Sequence, residues 1–600
     1  MSDQVPEKEI APPGWGYFAH SMMLQRYAHD LPAPREGWTE RTQNGLPILM
    51  DLKETWEEVA KRVPAAVFGP LMSLPGVPEL ANKAERFIAQ RKLMPGGRYL
   101  YASGRPLHQV QNCLLTRVRD TREGWADHLH KHVMGLGTGA GMGTVYSALR
   151  EEGRRLTRTG GVASGPLPLM ISTNEVGRGM RQGGSRRSAL WAGLHWWHPD
   201  SPKFLKMKNW SPEVKALKAK DFNFPAPMDQ TNISNCLDDM FLMAMGNKDF
   251  VGKTKPYHDA QDGYLVTHAM AQESFWTTVR QMLETGEPGF SIDVGDNAGE
   301  DLRNACTEVT SPDDSDICNL GSINMARIES KEEMAEIVEV ATAFLLAGTV
   351  YSDVPYTLVD HVREKNRRLG LGLMGLHEWL LKHGKSYGPD LELGEYLEIY
   401  AGSTQIAWRY ADAWGLSRPV KTRAIAPNGT IGIVAETTTG VEAMLYVAYK
   451  RRFVKGNEHW YQYVIDPCAK RLIESGVRPE AIETANDLGS TLEGVERRVA
   501  FQAWVQRYVD HAISSTINMA AWGSDTNNES TVKPFGEMLL KYIPHLRGIT
   551  VYPDGSRGGQ PFTQVSYRTA LKHMDQEFPE RVVVEQGDVC DLTRSGTCGM

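Results

Sequence analysis

Cysteine is scarce, with seven in 600 residues. That is too few for a disulfide scaffold, so a thiol that matters here is chemical rather than structural. Long apolar runs are lacking too. The longest, ATAFLLAGTV (341–350), is about half of the ~20 residues that a spanning helix needs. The first residues, MSDQVPEKEI, are polar and carry no secretory pattern. A cytoplasmic protein without a membrane attachment is expected. A basic excess is also absent, since 66 Lys and Arg stand against 73 Asp and Glu for a net charge of -7. This disfavours a protein that coats nucleic acid. Apolar residues at 41% and charged residues at 23% are close to the globular average, which supplies a sizeable core.

Residues 1–48 are rich in Pro, Gly and aromatics without a period and read as an extended arm. Helical spacing follows in LKETWEEVAKRV (52–63) and PELANKAERFIAQRKL (78–93), and MPGGRYL then breaks it. Between 95 and 575 there is no composition shift, long linker or repeat, so this stretch reads as one α/β domain. Short β-rich runs (CLLTRV, LWAGLHWW, GITVY) alternate with helical ones such as SKEEMAEIVEVATAFLLAG. The alternation predicts parallel strands with crossover helices. Residues 576–600 read as a strand followed by a polar, mobile tail.

The most informative segment is RNACTEVTSPDDSDICNLGSINMARI (303–328). Asn304, Cys306 and Glu308 are spaced by two, so an extended backbone would point all three the same way. The amide can hold a substrate, the carboxylate can take a proton, and the sulfur can do nucleophilic or one-electron work. Cys318 follows twelve residues later, and Cys113 heads another strand pattern, QVQNCLLTRV. On spacing alone, a buried structural role is the commoner fate of any one such cysteine. GLGTGAGMG (135–143) mimics a dinucleotide loop but lacks its Gly-x-Gly-x-x-Gly spacing, so close packing of a Gly-rich turn is expected.

Taken together, these segments resemble the catalytic subunit of the ribonucleotide reductases, and within them the adenosylcobalamin-dependent class. The family's Asn-x-Cys-x-Glu pattern is matched by Asn304-Ala305-Cys306-Thr307-Glu308, with Ala and Thr where the cobalamin class usually has Pro and Gly. Further ordered blocks are PGGRYLYASGR (95–105), Asn112-Cys113, LTRTGGVASGPLPLM (156–170), RQGGSRRSALWAGLHWWHPD (181–200), RRLGLGLMGLHEWL (367–380), APNGTIGIVAETTTGVEAML (426–445), SSTINMAAW (514–522) and ITVYPDGSRGGQ (549–560).

The resemblance implies a ten-stranded α/β barrel of the ribonucleotide reductase/glycyl-radical type over 95–575, behind an arm and helical region (1–94) without an ATP cone. It implies that Cys306 becomes a thiyl radical and abstracts the 3′ hydrogen of a ribonucleotide, with adenosylcobalamin supplying the hard chemistry. Glu308 would be the base on the 3′-hydroxyl, with Asn304 and Asn112 contacting substrate. Cys113 and Cys318 would deliver the reducing equivalents and end as a disulfide, which requires Cα atoms about 4.4–6.8 Å apart. Cys590 and Cys598 would regenerate that pair by exchange, themselves reduced by a thioredoxin-like or glutaredoxin-like protein. Cys236 and Cys468 match no redox position. Pro427, Asn428, Gly429 and Thr430 would seat the substrate phosphates at a helix start. Asp120, Arg181, Arg186 and Arg187 would serve the specificity site for dNTP or ATP effectors, and a homodimer is expected.

In the class served by a ferritin-like radical partner, the radical passes through two adjacent tyrosines. Here Tyr552 is followed by Pro553, which favours adenosylcobalamin over a class I large subunit. The Asp-x-His-x-x-Gly cobalamin motif is absent, as this family leads one to expect. A glycyl-radical enzyme would need a four-cysteine metal site, and the tail supplies two, so no metal is expected. Two other classes compete: a nucleotide-binding regulator without catalysis, indifferent to loss of Cys306, and a nucleic-acid-associated protein using the basic segment 179–187. Neither accounts for Asn304, Cys306 and Glu308 occurring together with Cys113 and Cys318.

Overall fold

The computed structural model describes residues 11–33, 42–43, 46–47, 52–157, 159–182, 186–221, 224–254, 263–455, 458–556, 562–574 and 576–579. Part of the arm expected to be extended is helical: α1 (Tyr17–Arg26) buries Ala19, His20, Met23 and Leu24 along one side. Its pattern is too short, and too crowded by Pro and aromatics, to show a period. The first helix foreseen from spacing, α2 (Trp56–Phe68), starts later than its apolar pattern because a capping box fixes the start. The Thr55 hydroxyl accepts from the Glu58 amide, and the Glu58 carboxylate accepts from the Thr55 amide. The second, α3 (Val77–Ala89), ends early, since Arg91 is left-handed (φ 55°) and the chain turns into the short strand β1 (Leu93–Pro95).

The main sheet begins with β2 (Cys113–Arg117). It continues through α4 (Arg122–Thr138), β3 (Gly141–Val145), α5 (Leu167–Gly179), β4 (Leu190–His195) and β5 (Thr231–Asp238). A two-stranded ribbon, β6 (Val251–Lys253) and β7 (Leu265–Thr267), precedes α6 (His268–Thr285) and β8 (Gly289–Asp293). A hairpin of β9 (Leu302–Arg303) and β10 (Thr310–Ser311) comes next, followed by β11 (Asp316–Asn324), α7 (Lys331–Tyr351), β12 (Leu369–Met374), α8 (Gly429–Ala435), β13 (Thr516–Met519) and β14 (Gly548–Pro553). Strands β3, β4 and β12 are buried at every position, as expected where helices cover the outside of a parallel sheet.

The ten-stranded sheet runs β12-β11-β2-β3-β4-β5-β8-β14-β13, with β1 pairing β11 off this path. It is mixed, not wholly parallel as the alternation suggested. Strands β2, β3, β4, β5 and β8 form one parallel set. The pairs β11/β12 and β13/β14 are parallel within themselves and meet that set antiparallel, at β2/β11 and at β8/β14. Beyond β12, residues 422–425 continue the pairing. Leu371 donates to the Thr422 carbonyl (2.9 Å), Ala424 to Leu371 (3.1 Å), Ile425 to Ala512 (3.2 Å) and Ser514 to Ile425 (2.9 Å).

The largest core packs α2, α3 and α7 against the outside of β11 and β12. Helix α7, which contains the longest apolar run, is the one helix among the described residues long and apolar enough to cross a membrane, and most of that stretch is buried within the molecule. On the inner side, Cys113, Val145, Trp191, Cys236, Cys318 and Ala424 from six segments of the sheet gather with Leu302 and Val309 of the hairpin. The sheet therefore wraps around β9–β10. A separate antiparallel sheet is made by 562–564, 448–455, 458–465 and 577–579, in that order. Residues 577–579, at the start of the segment read as a strand followed by a mobile tail, are a paired strand, while Cys590 and Cys598 lie outside the described residues.

Candidate active site

The β9–β10 hairpin presents Asn304, Cys306 and Glu308 on a tight turn, not on the extended backbone their spacing suggested. The Thr307 amide donates to the Asn304 carbonyl (3.1 Å), and Thr307 adopts φ 68°. A β-branched residue rarely occupies that region, so the loop is held there by its surroundings. The Asn304 amide oxygen accepts from the Val309 amide (3.1 Å), and the Glu308 carbonyl from the Ala512 amide (2.8 Å). The imidazole of His511 accepts from the Thr310 amide (3.1 Å), and the Asn232 side chain donates to the Ala305 carbonyl (3.4 Å). At the hairpin's base the buried Arg303 guanidinium donates to the carbonyls of Glu300, Leu302 and Ile292. The hairpin also passes directly over β3, where a Cβ on Gly143 would lie 2.1 Å from the Arg303 carbonyl oxygen.

This packing explains the Gly-rich stretch 135–143 as close contact, as anticipated. Gly135 abuts Met142, Gly139 caps α4 at φ 107°, and Gly143 admits the hairpin. Gly143, Asn232 and His511 were not singled out from the sequence. Gly143 stood in plain view inside a false dinucleotide motif, whereas Asn232 and His511 carry no local signal of what they touch.

Cys306 is exposed at the turn while Asn304 and Glu308 are buried. Cys113 and Cys318 sit directly opposite each other on the antiparallel pair β2/β11. Directly opposed residues on such strands have Cα atoms about 4.5–5.5 Å apart, within the span of a disulfide, and both are free thiols here. The Cys113 thiol points at Glu308, 3.8 Å from its carboxylate, and lies 3.9 Å from the side-chain oxygen of Asn112. The Asn112 amide in turn donates to the Cys318 carbonyl (3.1 Å). The five residues of the two motifs are therefore brought together on the inside of the sheet.

Burial sets the electrostatics. It pushes the Cys306 thiol well up, helped by Glu308, and does the same to Cys113, where Glu308, Cys318 and Cys306 add to it. Cys318 is pushed up by burial and by Asp316. All three are neutral S–H groups near pH 7. Burial also raises Glu308 to about 7, against the lowering effect of its hydrogen bonds with its own backbone, Asn304 and Cys113. The arrangement thus offers intact S–H bonds beside a carboxyl that can gain or lose a proton near neutrality, which suits hydrogen-atom and proton transfer better than attack by a thiolate.

Residues 427–430 lie where segment 422–425 ends. Asn428 is left-handed (φ 55°) and precedes α8, and its side chain donates to the Ser322 hydroxyl (3.0 Å) on β11, four residues beyond Cys318. A Cβ on Gly429 would meet nothing within 4 Å, so the helix start is open. Asp120 follows β2 and is paired with Arg150 (2.7 Å). Arg181 and Arg187 face each other across a short antiparallel pair, as do Gln182 and Arg186. The side chains of Arg181 and Arg186 lie outside the described residues. Cys236 lies inside the sheet with Trp191, and Cys468 in a remote apolar cluster.

Residues 111–393 match the family model for the ribonucleotide reductase barrel domain. A vitamin B12-dependent ribonucleoside-diphosphate reductase of Mycobacterium tuberculosis (strain CDC 1551 / Oshkosh) is 28% identical over 551 residues, spanning 82% of this chain and 75% of the relative. One from Thermoplasma acidophilum is 28% identical over 534 residues, spanning 80% and 66%. A putative adenosylcobalamin-dependent ribonucleoside-triphosphate reductase of Mycobacterium phage D29 is 24% identical over 538 residues, spanning 75% and 71%.

Proposed function

We infer that this chain belongs to the ribonucleotide reductase family, is a catalytic subunit of the adenosylcobalamin-dependent class and converts ribonucleotides to 2′-deoxyribonucleotides. The observation that carries the reading is the meeting of two motifs: an exposed thiol with its amide and carboxyl on one turn, and a pair of buried thiols opposed across two strands. Cys306, exposed at the turn on the inner side of the sheet, fits a diffusible radical source. Asn486, Ser490, Asn518 and Asp554 line a cavity of about 110 Å³ at the ends of β13 and β14, smaller than a nucleoside, and would contact part of the cofactor there. Adenosylcobalamin, when bound, supplies the one-electron oxidising chemistry that an S–H bond requires.

In this reading Cys306, as a thiyl radical, takes the 3′ hydrogen atom of the ribose, while Asn304 orients the substrate and Glu308 accepts the proton of the 3′-hydroxyl. One thiol of the Cys113/Cys318 pair protonates the departing 2′ oxygen, which leaves as water. The pair then gives up two electrons and two protons in all and closes to a disulfide, and Cys306 returns the hydrogen to C3′. Cys590 and Cys598 would reopen the disulfide by exchange. Residues 427–430 would receive the substrate phosphates, with Asn112 beside the ribose, and Asp120 with Arg181, Arg186 and Arg187 would serve the effector. The pairing of 422–425 between β12 and the approach to β13 supports closure of the sheet into a ten-stave barrel. Exposed Val133 and Met134 on α4, with Ile171 on α5, support a homodimer through these helices.

The test is direct: purified protein with CDP or CTP, dithiothreitol and adenosylcobalamin, and no second protein. Deoxynucleotide formation is expected, and Cys306→Ala should abolish it. Turnover that appears only with an iron or manganese protein would move the chain to the class with a radical-generating partner. The sequence Tyr552-Pro553 at the end of β14, where that class places its tyrosine pair, speaks against this outcome.

A further inference from the structure

The chain between β3 and α5 folds back on itself. Gly153 donates to the Ala163 carbonyl (2.9 Å), Ala163 to Arg154 (2.8 Å) and Leu156 to Gly161 (3.0 Å). Its root is tied at several points to neighbouring strand ends. His198 donates through Nε2 to the Leu149 carbonyl (2.9 Å), the Asp200 carboxylate accepts from the Glu152 amide (3.0 Å), and Arg150 pairs with Asp120. One tie comes from elsewhere. The Tyr264 hydroxyl, at the loop end of the β6–β7 ribbon, donates to Glu151 (2.6 Å), the carboxylate that also accepts from Arg154 (3.4 Å).

The ribbon is built to aim this phenol. The Tyr264 amide donates to the Thr254 hydroxyl (2.8 Å), and Thr254 donates to the Tyr264 carbonyl (2.9 Å). Gly263, at φ 62°, allows the backbone to pass where a Cβ would sit 2.1 Å from the Thr254 oxygen. The ring packs against Trp197 and His198, with centroids 6.0 and 5.8 Å away. The tie polarises both partners: Glu151 is held below the usual carboxylate range, with the Tyr264 hydroxyl as the main lowering influence against burial, while burial and Glu151 push the phenol up.

We propose that Tyr264 is a positioning residue for the effector-sensing loop, the ribbon acting through its hydroxyl on Glu151, and through Glu151 on Arg154, to pre-order a guanidinium for nucleotide phosphate. This rests on the proposed function and on the resemblance of residues 156–170, which continue this loop, to a family loop that couples effector and substrate. Removing the hydroxyl leaves the ring contacts intact but frees Glu151 and Arg154, so an effector must order the loop as it binds.

The test compares wild type, Tyr264→Phe, Glu151→Gln and the double variant. Without nucleotide, exchange of the Gly153 and Ala163 amides should quicken about tenfold in Tyr264→Phe, as expected for loss of one hydrogen bond to a charged group. The Kd of the dNTP that wild type binds best, read by calorimetry, should rise by a similar factor, with effector-free reduction of CDP or CTP unchanged. The two substitutions should be less than additive in the double variant. Unchanged amide exchange overturns the tie. Faster exchange with unchanged Kd for all four dNTPs and ATP overturns the positioning role while leaving the reductase reading intact. A wild-type enzyme that reduces substrate yet binds none of these nucleotides overturns the effector-loop reading, and this proposal with it.

Discussion

Replacing Glu308 by Gln removes a carboxyl group that the fold keeps protonated to a higher pH than water would. Glu308 is 1% exposed, and burial raises it to about 7 from an ordinary 4.5. The folded protein therefore keeps this proton up to about pH 7, while the unfolded chain releases it near 4.5. A raised carboxyl contributes stability that is fully present below pH 4.5 and is lost as the pH climbs through 7. That interval is worth roughly 3 kcal/mol at about 1.4 kcal/mol per pH unit. Glutamine keeps the shape and does not titrate. In paired urea titrations, the stability of wild type minus that of Glu308→Gln should fall by roughly 3 kcal/mol between pH 4.5 and 8, then level off. A difference that stays flat across this range refutes the claim that burial governs Glu308. The same constant sets the catalytic profile: if Glu308 is the base, turnover rises with pH and is half-maximal near 7, and the variant loses about a hundredfold or more.

Cys113→Ser should stop multiple turnover with dithiothreitol, with a loss of about a hundredfold or more, while leaving the fold intact; product chromatography and thermal melting read the two effects. Gly143→Ala places a methyl 2.1 Å from the Arg303 carbonyl, so the hairpin must move. A stability loss of roughly 1–3 kcal/mol should accompany loss of reduction, read by thermal melting and by assay. Thr307→Gly relieves a left-handed threonine, a strain of roughly 1–3 kcal/mol. Glycine's added freedom in the unfolded chain costs about 0.4–1 kcal/mol, so a net gain of roughly 1 kcal/mol and a higher melting temperature are expected.

The parts of the site that the sequence disclosed are those written in local spacing. Asn304, Cys306 and Glu308 stand within five residues, and their convergence needed no knowledge of the fold. Their geometry was hidden because the turn depends on Thr307 adopting a conformation its side chain disfavours, which no propensity suggests. Cys113 and Cys318 lie roughly two hundred residues apart. Each looks like an ordinary buried thiol, and only family likeness linked them before the β2/β11 register placed them face to face. The mixed character of the sheet was hidden for a similar reason. A buried strand has the same apolar pattern whether its neighbour runs with it or against it, so the antiparallel seams at β2/β11 and β8/β14 left no mark. Tyr264 and Glu151 illustrate the general case, since a hydrogen bond between distant loops has no sequence signature at either end.

One of the two seams also accounts for where the proposed dithiol sits. The β2/β11 seam is where the parallel set meets its antiparallel neighbours, and it carries Cys113 and Cys318. An antiparallel pair places residues squarely opposite one another, whereas the bonds of a parallel pair are slanted. The dithiol proposed to close to a disulfide within the strands is therefore better served at this seam than within the parallel set. Burial there keeps both sulfurs protonated, which makes them poor nucleophiles but sound donors of hydrogen. The same burial applies to Cys306, which is open at its surface but surrounded by the sheet. A thiolate would be consumed by any electrophile that reached it, whereas a thiol held in this state is inert until its hydrogen atom is removed.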